Sequence, residues 1–220
     1  NAWQIHYHEL TFNLKLMGFK HTGLFPEQAY NWNLIQNKIK NSNKEVKVLN
    51  LFAYTGAASM AAASAGASVV HVDSSRGMVD WAKENMHSSN LDDRNIRFLV
   101  DDVVKFVKRE IRRNNKYDII LMDPPSFGRG ANKEIWNIEE KLFELVNLCT
   151  QILSDDPILF LINSYTTGLS KTVLENVLLK TVEKKYKGYI SSDELGLKAI
   201  NNMILPCGIY ARWEKEQSDM

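Results

Sequence analysis

The chain has 220 residues, 45% of them hydrophobic, a formal net charge of +1 and two cysteines, Cys149 and Cys207. That supplies one full core, and the near-zero charge excludes any global pull toward nucleic acid or a membrane surface. Sparse cysteines argue against a disulfide scaffold and for a reducing, cytoplasmic setting, and no apolar run reaches membrane-spanning length. The chain opens at Asn1 without a signal-peptide pattern, so its native N-terminus is left open.

WQIHYHEL and TFNLKLMGF alternate apolar and polar residues, the period of a two-stranded hairpin. HTGLFPEQAYNWNLIQNKIKNSN reads as a loop entering a helix, with Pro26 near its first turn. These segments form an N-terminal extension, residues 1–45, ahead of a domain spanning 46–220. From Val46 onward apolar runs alternate with helical patterns. EVKVLNLF precedes the alanine-rich GAASMAAASAGA, and SVVHVD precedes SSRGMVDWAKENMHSSN. NIRFLVDD precedes VVKFVKREIRRNN, YDIILMD precedes KEIWNIEEKLFELVNLCTQIL, and DPILFLIN precedes LSKTVLENVLLKTVEKKY. Five β-then-α units predict an α/β fold, a parallel sheet covered by helices on both faces. YISSDELGLKA and ILPCGIYARWE then predict an antiparallel hairpin at one sheet edge.

Ligands of open α/β sheets bind beyond the carboxyl ends of the strands. Here those ends carry Asn50, Asp73, Asp101-Asp102, Asp123 and Asn163, so carboxylates close three successive strands. The first turn, FAYTGAAS, holds a single glycine, Gly56, whereas a pyrophosphate needs two or three for close backbone approach. Asp73 follows Gly56 by 17 residues (73 − 56), near the spacing at which an acid grips ribose hydroxyls. Asp102 is suited to the adenine amino group. A cofactor with ribose, adenine and an amino-acid end but no phosphate fits, and S-adenosylmethionine is preferred to NAD. Plainer roles also suit these residues: Gly56 as a simple turn, Asp73 as a helix cap before Ser74-Ser75, Trp81 and Phe106 as core. Asp101 is expected to face solvent.

These residues resemble the class I S-adenosylmethionine-dependent methyltransferases. NLFAYTGAASMAAASAGASVVHVDSSRGMVDWAKEN is similar to the cofactor half of the large-subunit ribosomal RNA methyltransferases, whose branches modify cytosine C5 or guanine N7. GLFPEQ, Gly23 to Gln28, resembles their GxFxDQ element beside the cofactor, with Glu27 for the usual Asp and with Ala29 and Trp32 where arginines are usual. DPPSFGRG looks most like the DPPTF stretch of the guanine-N7 branch. The resemblance implies a Rossmann-like, doubly wound seven-stranded sheet with an antiparallel last strand. It also implies that Gln28 lies beside the cofactor and that Asn50, Phe52, Tyr54, Thr55 and Gly56 line its methionine end. Asp73 with Ser74 would hold the ribose, Asp102 the adenine, and Asp123 the mouth between donor and acceptor.

In LMDPPSFGRG, Pro124-Pro125 fixes φ and makes a rigid corner that presets Asp123 toward a planar acceptor. Phe127 suits either stacking on a base or core packing. Cytosine-C5 transfer needs a cysteine nucleophile, yet Ser126 and the stretch NSYTTG, Asn163 to Gly168, stand where one is expected. Cys149 has core spacing on a predicted helix, and Cys207 is expected to be buried rather than nucleophilic. A nitrogen acceptor is therefore favoured. Ribosomal RNA is the expected partner, with local support from KFVKREIRRNNK, Lys105 to Lys116, and more from Arg129, with Lys133 nearby. His6, His8, His21, His71 and His87 lack metal-ligand spacing, so no metal is expected. A small-molecule methyltransferase and a noncatalytic scaffold of the same fold are the alternatives.

Overall fold

Aliphatic and β-branched runs become strands where both faces are covered, and the remaining segments close over them. The computed structural model describes residues 2–18, 21–129 and 135–216. It divides into two units, Asn1–Asp101 and Asp102–Met220.

In the first unit, β1 (Ala2–Tyr7) and β2 (Leu10–Lys15) pair antiparallel as the alternation predicts, with Tyr7 opposite Leu10. The Leu10, Phe12 and Leu14 side chains of β2 are buried. A 3-10 turn, Pro26–Gln28, leads into α1 (Ala29–Lys40), and Pro26 sits where its missing N–H is no loss. Then come β3 (Lys47–Leu51), α2 (Ala57–Ser64), β4 (Ser68–Asp73), α3 (Arg76–Ser88) and β5 (Ile96–Val100). β4 runs parallel to both β3 and β5, with Leu51 beside Val72 and Asp73 beside Val100. Met60, Ala61, Ala62 and Ala63 of α2 are fully buried, and their small size lets the helix approach its neighbours closely. The N-terminal hairpin is tied to α3 by polar bonds: Trp81 Nε1 donates to the Asn13 carbonyl at 2.8 Å, and Asn85 Oδ1 accepts from the Asn13 amide at 2.8 Å.

The second unit holds α4 (Val103–Arg112), β6 (Ile119–Met122), β7 (Phe127–Arg129), β8 (Ile135–Asn137), α5 (Ile138–Cys149), β9 (Leu159–Ser164), α6 (Lys171–Lys180), β10 (Gly188–Lys198) and β11 (Ile204–Lys215). β6 and β9 are parallel, while β11 lies antiparallel to both β9 and β10. β10 is an edge strand of the seven-stranded mixed sheet, as the terminal hairpin requires. The hairpin tip is apolar and exposed at Leu197, Ile200, Met203, Ile204 and Leu205.

Two helix expectations change. IWN does not belong to α5: Ile135–Asn137 pairs with Phe127–Arg129 as a short ribbon, while Lys133 and Glu134 lie outside the described residues. The helix begins only after Asn137, whose side chain caps it by accepting from the Glu139 amide at 3.1 Å. α6 stops at Lys180 rather than running to Tyr186, and the Thr181 hydroxyl bonds back to the Val177 carbonyl at 2.6 Å.

One buried polar chain crosses the first unit. Asn50 Nδ2 donates to Ser59 Oγ at 2.9 Å, and Ser59 Oγ shares a hydrogen bond with His71 Nδ1 at 3.0 Å. His71 is fully buried. Burial pushes its pKa from 6.5 down to about 3, and the Tyr54 backbone only partly opposes this. Between those values the unfolded chain binds the proton and the folded chain does not, so stability is full above pH 6.5 and falls as pH falls. From pH 7.5 to 5 the loss should be on the order of 2 kcal/mol at this site. Urea unfolding at both pH values should show that drop in the wild type and a smaller one in His71→Gln; equal drops would refute it.

Candidate active site

Beyond β3 the chain alternates between ordinary and left-handed backbone. Phe52, Tyr54 and Gly56 have φ of 54°, 51° and 86°. Such conformations cost about 1–3 kcal/mol each for side chains other than glycine and persist only where surroundings over-determine them. Here the Ala53 amide donates to the Val72 carbonyl (3.1 Å), the Tyr54 amide to Asp73 Oδ2 (2.9 Å) and the Gly56 amide to the Ala53 carbonyl (3.0 Å). From outside the turn, Thr55 Oγ1 donates to the Gly23 carbonyl at 2.6 Å and Asn85 Nδ2 to the Thr55 carbonyl at 2.9 Å. Gly56 then begins α2, and a Cβ on it would stand 3.0 Å from the Ala82 Cβ.

Asp73 connects this turn to the next helix. Its Oδ2 accepts from Tyr54 and its Oδ1 from the Ser75 amide, at 2.9 Å each. Asp73 is not the helix cap expected as an alternative role: Ser75 holds that position, and Asp73 bonds its amide from two residues earlier. Burial raises its pKa above 3.8, with the two amides pulling the other way. Each carboxylate oxygen can accept a second bond, so this arrangement also fits ribose hydroxyls. Ser74 beside it is exposed, and Phe52 and Tyr54 are half-buried. Three other residues expected here have partners within the protein. Asn50 is buried against Ser59, the Thr55 hydroxyl is spent on Gly23, and buried Gln28 accepts from Asn31 Nδ2 at 2.9 Å. The Thr55 bond ties the turn to the segment before α1.

Sequence reasoning passed over several supporting residues. The Phe25 ring lies 5.6 Å from the Tyr54 ring, and the Tyr54 hydroxyl reaches Met17 Sδ at 4.0 Å. A Cβ on Gly23 (φ 97°) would stand 2.2 Å from the Trp81 ring, so only glycine carries GLFPEQ past that indole. The available signal was the polar Asn85 and His71 among core residues.

In the second unit, Asp102 caps α4, Oδ1 accepting from the Lys105 amide at 2.8 Å. Both Asp101 and Asp102 are half-buried, so Asp101 does not simply face solvent. Asp123 is half-buried, Pro124 buried and Pro125 exposed. The corner is held from outside: Trp136 Nε1 donates to the Pro125 carbonyl at 2.7 Å, and the Ser126 and Thr166 hydroxyls share a 2.7 Å bond. The Pro125 carbonyl is thus engaged by Trp136. Phe127 is 57% exposed, which removes core packing as its role. Cys149 is fully buried, and burial pushes its thiol pKa up. Cys207 is only half-buried, contrary to expectation, because the outer part of the hairpin is uncovered. The Arg129 side chain and Lys133 lie outside the described residues. Among the described residues no group of histidines, cysteines or acids is arranged for a metal, and no helix is long and apolar enough to cross a membrane.

The model of a family described as S-adenosylmethionine-dependent methyltransferase matches residues 1–182. The chain belongs to that family. A solved S-adenosylmethionine-dependent methyltransferase from Agrobacterium tumefaciens is 34% identical, with a TM-score of 0.93 over 98% of this chain and 70% of its own. A second methyltransferase structure, SMU.776, solved with SAH, is 25% identical with a TM-score of 0.73 over 96% of this chain and 56% of that one. Ribosomal RNA large subunit methyltransferase K/L of Shewanella frigidimarina is 36% identical over 145 residues, 65% of this chain. This chain spans about a fifth of that relative's length, the match covering 20% of it. The cofactor of the methyltransferase family is thus the one the phosphate-free turn favoured.

The ribose role of Asp73 has a direct test. Calorimetry on Asp73→Ala should show S-adenosylmethionine binding weakened by about 1.5–3 kcal/mol, the range for charge-assisted bonds. In the wild type, affinity should fall as acid protonates the carboxylate, with a midpoint above 3.8, and Asp73→Asn should lose that dependence. Unchanged affinity in a folded Asp73→Ala variant would remove the residue from the site.

Proposed function

We propose that this chain methylates a nitrogen of a ribosomal RNA base, using residues 46–220 as the methyltransferase domain and 1–45 as an extension. The observation that carries this reading is the exposed Phe127 ring beside a braced Asp-Pro-Pro corner. A large exposed aromatic suits stacking on a planar base, worth about 1–3 kcal/mol. The name of the Shewanella relative supports an RNA acceptor. Cys149 and Cys207 are not in a disulfide, which accords with a reducing, cytoplasmic setting.

When bound, the cofactor supplies an electrophilic methyl on a sulfonium and departs as a neutral thioether. In this reading Asp73 and Ser74 hold the ribose, Asp102 takes the adenine through the carboxylate that also caps α4, and Phe52, Tyr54 and Gly56 shape the methionine end. Phe127 stacks on the base, and Asp123 orients the acceptor nitrogen. An exocyclic amine would give its proton to Asp123; a ring nitrogen would carry the positive charge away. Alignment of this kind contributes up to about 7–11 kcal/mol to lowering a barrier. The bond between the Ser126 and Thr166 hydroxyls stands where covalent C5 chemistry would need a thiolate, and buried Cys149 cannot supply one.

Mass spectrometry of ribosomal RNA from cells with and without the gene should show one methylated nucleotide lost. Unchanged RNA, with methyl transfer to a small molecule instead, would replace the acceptor. The Cys149→Ala, Cys207→Ala double variant should keep its activity; complete loss in a folded, cofactor-binding protein would revive C5 chemistry through Cys207. Asp123→Asn should keep most cofactor affinity while single-turnover rate falls steeply. Wild-type turnover in that variant would end the alignment role.

A further inference from the structure

The charge of this chain is unevenly distributed. Lys105 to Lys116 holds six cations and one acid, a local charge of +5 (6 − 1), while the whole chain carries +1, leaving −4 for the rest. On α4, Lys105, Lys108, Arg109 and Arg112 occupy positions i, i+3, i+4 and i+7, which fall on one helix face. Lys105, Lys108 and Arg112 are exposed, and the Arg109 guanidinium lies 6.0 Å from the Phe106 ring.

The acid within this segment does not neutralise that face. Glu110 is fully buried and accepts from the Tyr117 hydroxyl (2.7 Å), Asn115 Nδ2 (2.8 Å) and Arg113 (3.2 Å). Helix stability does not account for the stripe either. Cations in the last turn, Arg109 and Arg112, favour the helix dipole, but Lys105 in the first turn opposes it. The helix begins at Asp102, the residue assigned to adenine, so the stripe starts one turn away.

We infer that this face of α4 is a track for the phosphate backbone of a single-stranded RNA segment, an inference that rests on the RNA acceptor proposed above. From Lys105 to Arg112 the helix rises roughly 10 Å, about the length of three nucleotides along a strand. Lysine and arginine here supply position and affinity without reading sequence, leaving base selection to the acceptor corner.

The test is fluorescence anisotropy of the full chain with a labelled 20-nucleotide single-stranded RNA of mixed sequence, from 50 to 200 mM KCl. Replacing all four residues with glutamine (Lys105→Gln, Lys108→Gln, Arg109→Gln, Arg112→Gln) should weaken binding at least tenfold at 50 mM. The slope of log affinity against log salt should become shallower by about 2–3, at about 0.7 for each phosphate no longer neutralised. A control losing the same charge at exposed Lys180, Lys184, Lys187 and Lys198 should keep the wild-type slope. SAH affinity should be unchanged in both variants. Should the quadruple variant unfold, Lys105→Gln and Lys108→Gln singly should each reduce the slope by about 0.7. An unchanged slope in the stripe variants, an equal change in the control, or no wild-type binding at 50 mM overturns the track. Stripe-dependent binding without methyl transfer to RNA would instead overturn the acceptor assignment and leave the track standing.

Discussion

Two turns of the first unit depend on one carboxylate. Asp73 takes the amide of Tyr54 with one oxygen and that of Ser75 with the other, joining the loop after β3 to the start of α3. The first of these loops contains two aromatic residues in left-handed backbone, a conformation that a free chain would abandon. Burial disfavours the charge on Asp73, and the two amides offset only part of that penalty. Loss of the carboxylate would leave an amide without its acceptor at about 1–3 kcal/mol, before any ligand is considered. The shapes of both turns therefore draw on the same group, and neither can be altered independently through it.

The Asp-Pro-Pro corner solves a different problem. Proline restricts φ but leaves ψ and the carbonyl direction open. Those are fixed by neighbours: the Trp136 indole holds the Pro125 carbonyl, and the Ser126–Thr166 bond ties the corner to the loop after β9. Asp123 and Phe127 thus sit on backbone whose direction is set by residues that need not touch a ligand. Preorganisation of this kind lowers the reorganisation required when an acceptor arrives.

Much of this was legible in sequence because strands buried on both faces are written as unbroken apolar runs. VKVLNL, SVVHVD and ILFLIN each mark a strand to within one residue at either end. Gly56 was legible because a tight turn into a helix selects for it. The protein partners of Asn50, Thr55 and Gln28 were not, since a buried polar side chain does not name its partner without coordinates. Asp73 bonds two backbone amides from different turns, which spacing alone could not reveal. The ribbon of β7 and β8 was missed because IWN continues the helical period of α5, and the pairing with Phe127–Arg129 that decides against it is tertiary. Phe127 could be resolved only by its exposure.

The terminal hairpin raises a question of colloidal behaviour. β10 presents the unpaired groups of a sheet edge, and the tip beyond it exposes Leu197, Ile200, Met203, Ile204 and Leu205. An open edge next to apolar side chains is a template for strand addition by another molecule. The register shift between Leu195 and Gly196 breaks the regular ladder, while the exposed charges Asp193, Glu194 and Lys198 stand along the same strand. These features oppose edge-to-edge stacking, so substitutions that smooth the bulge or neutralise those charges would favour aggregation even where the methyltransferase fold itself is untouched.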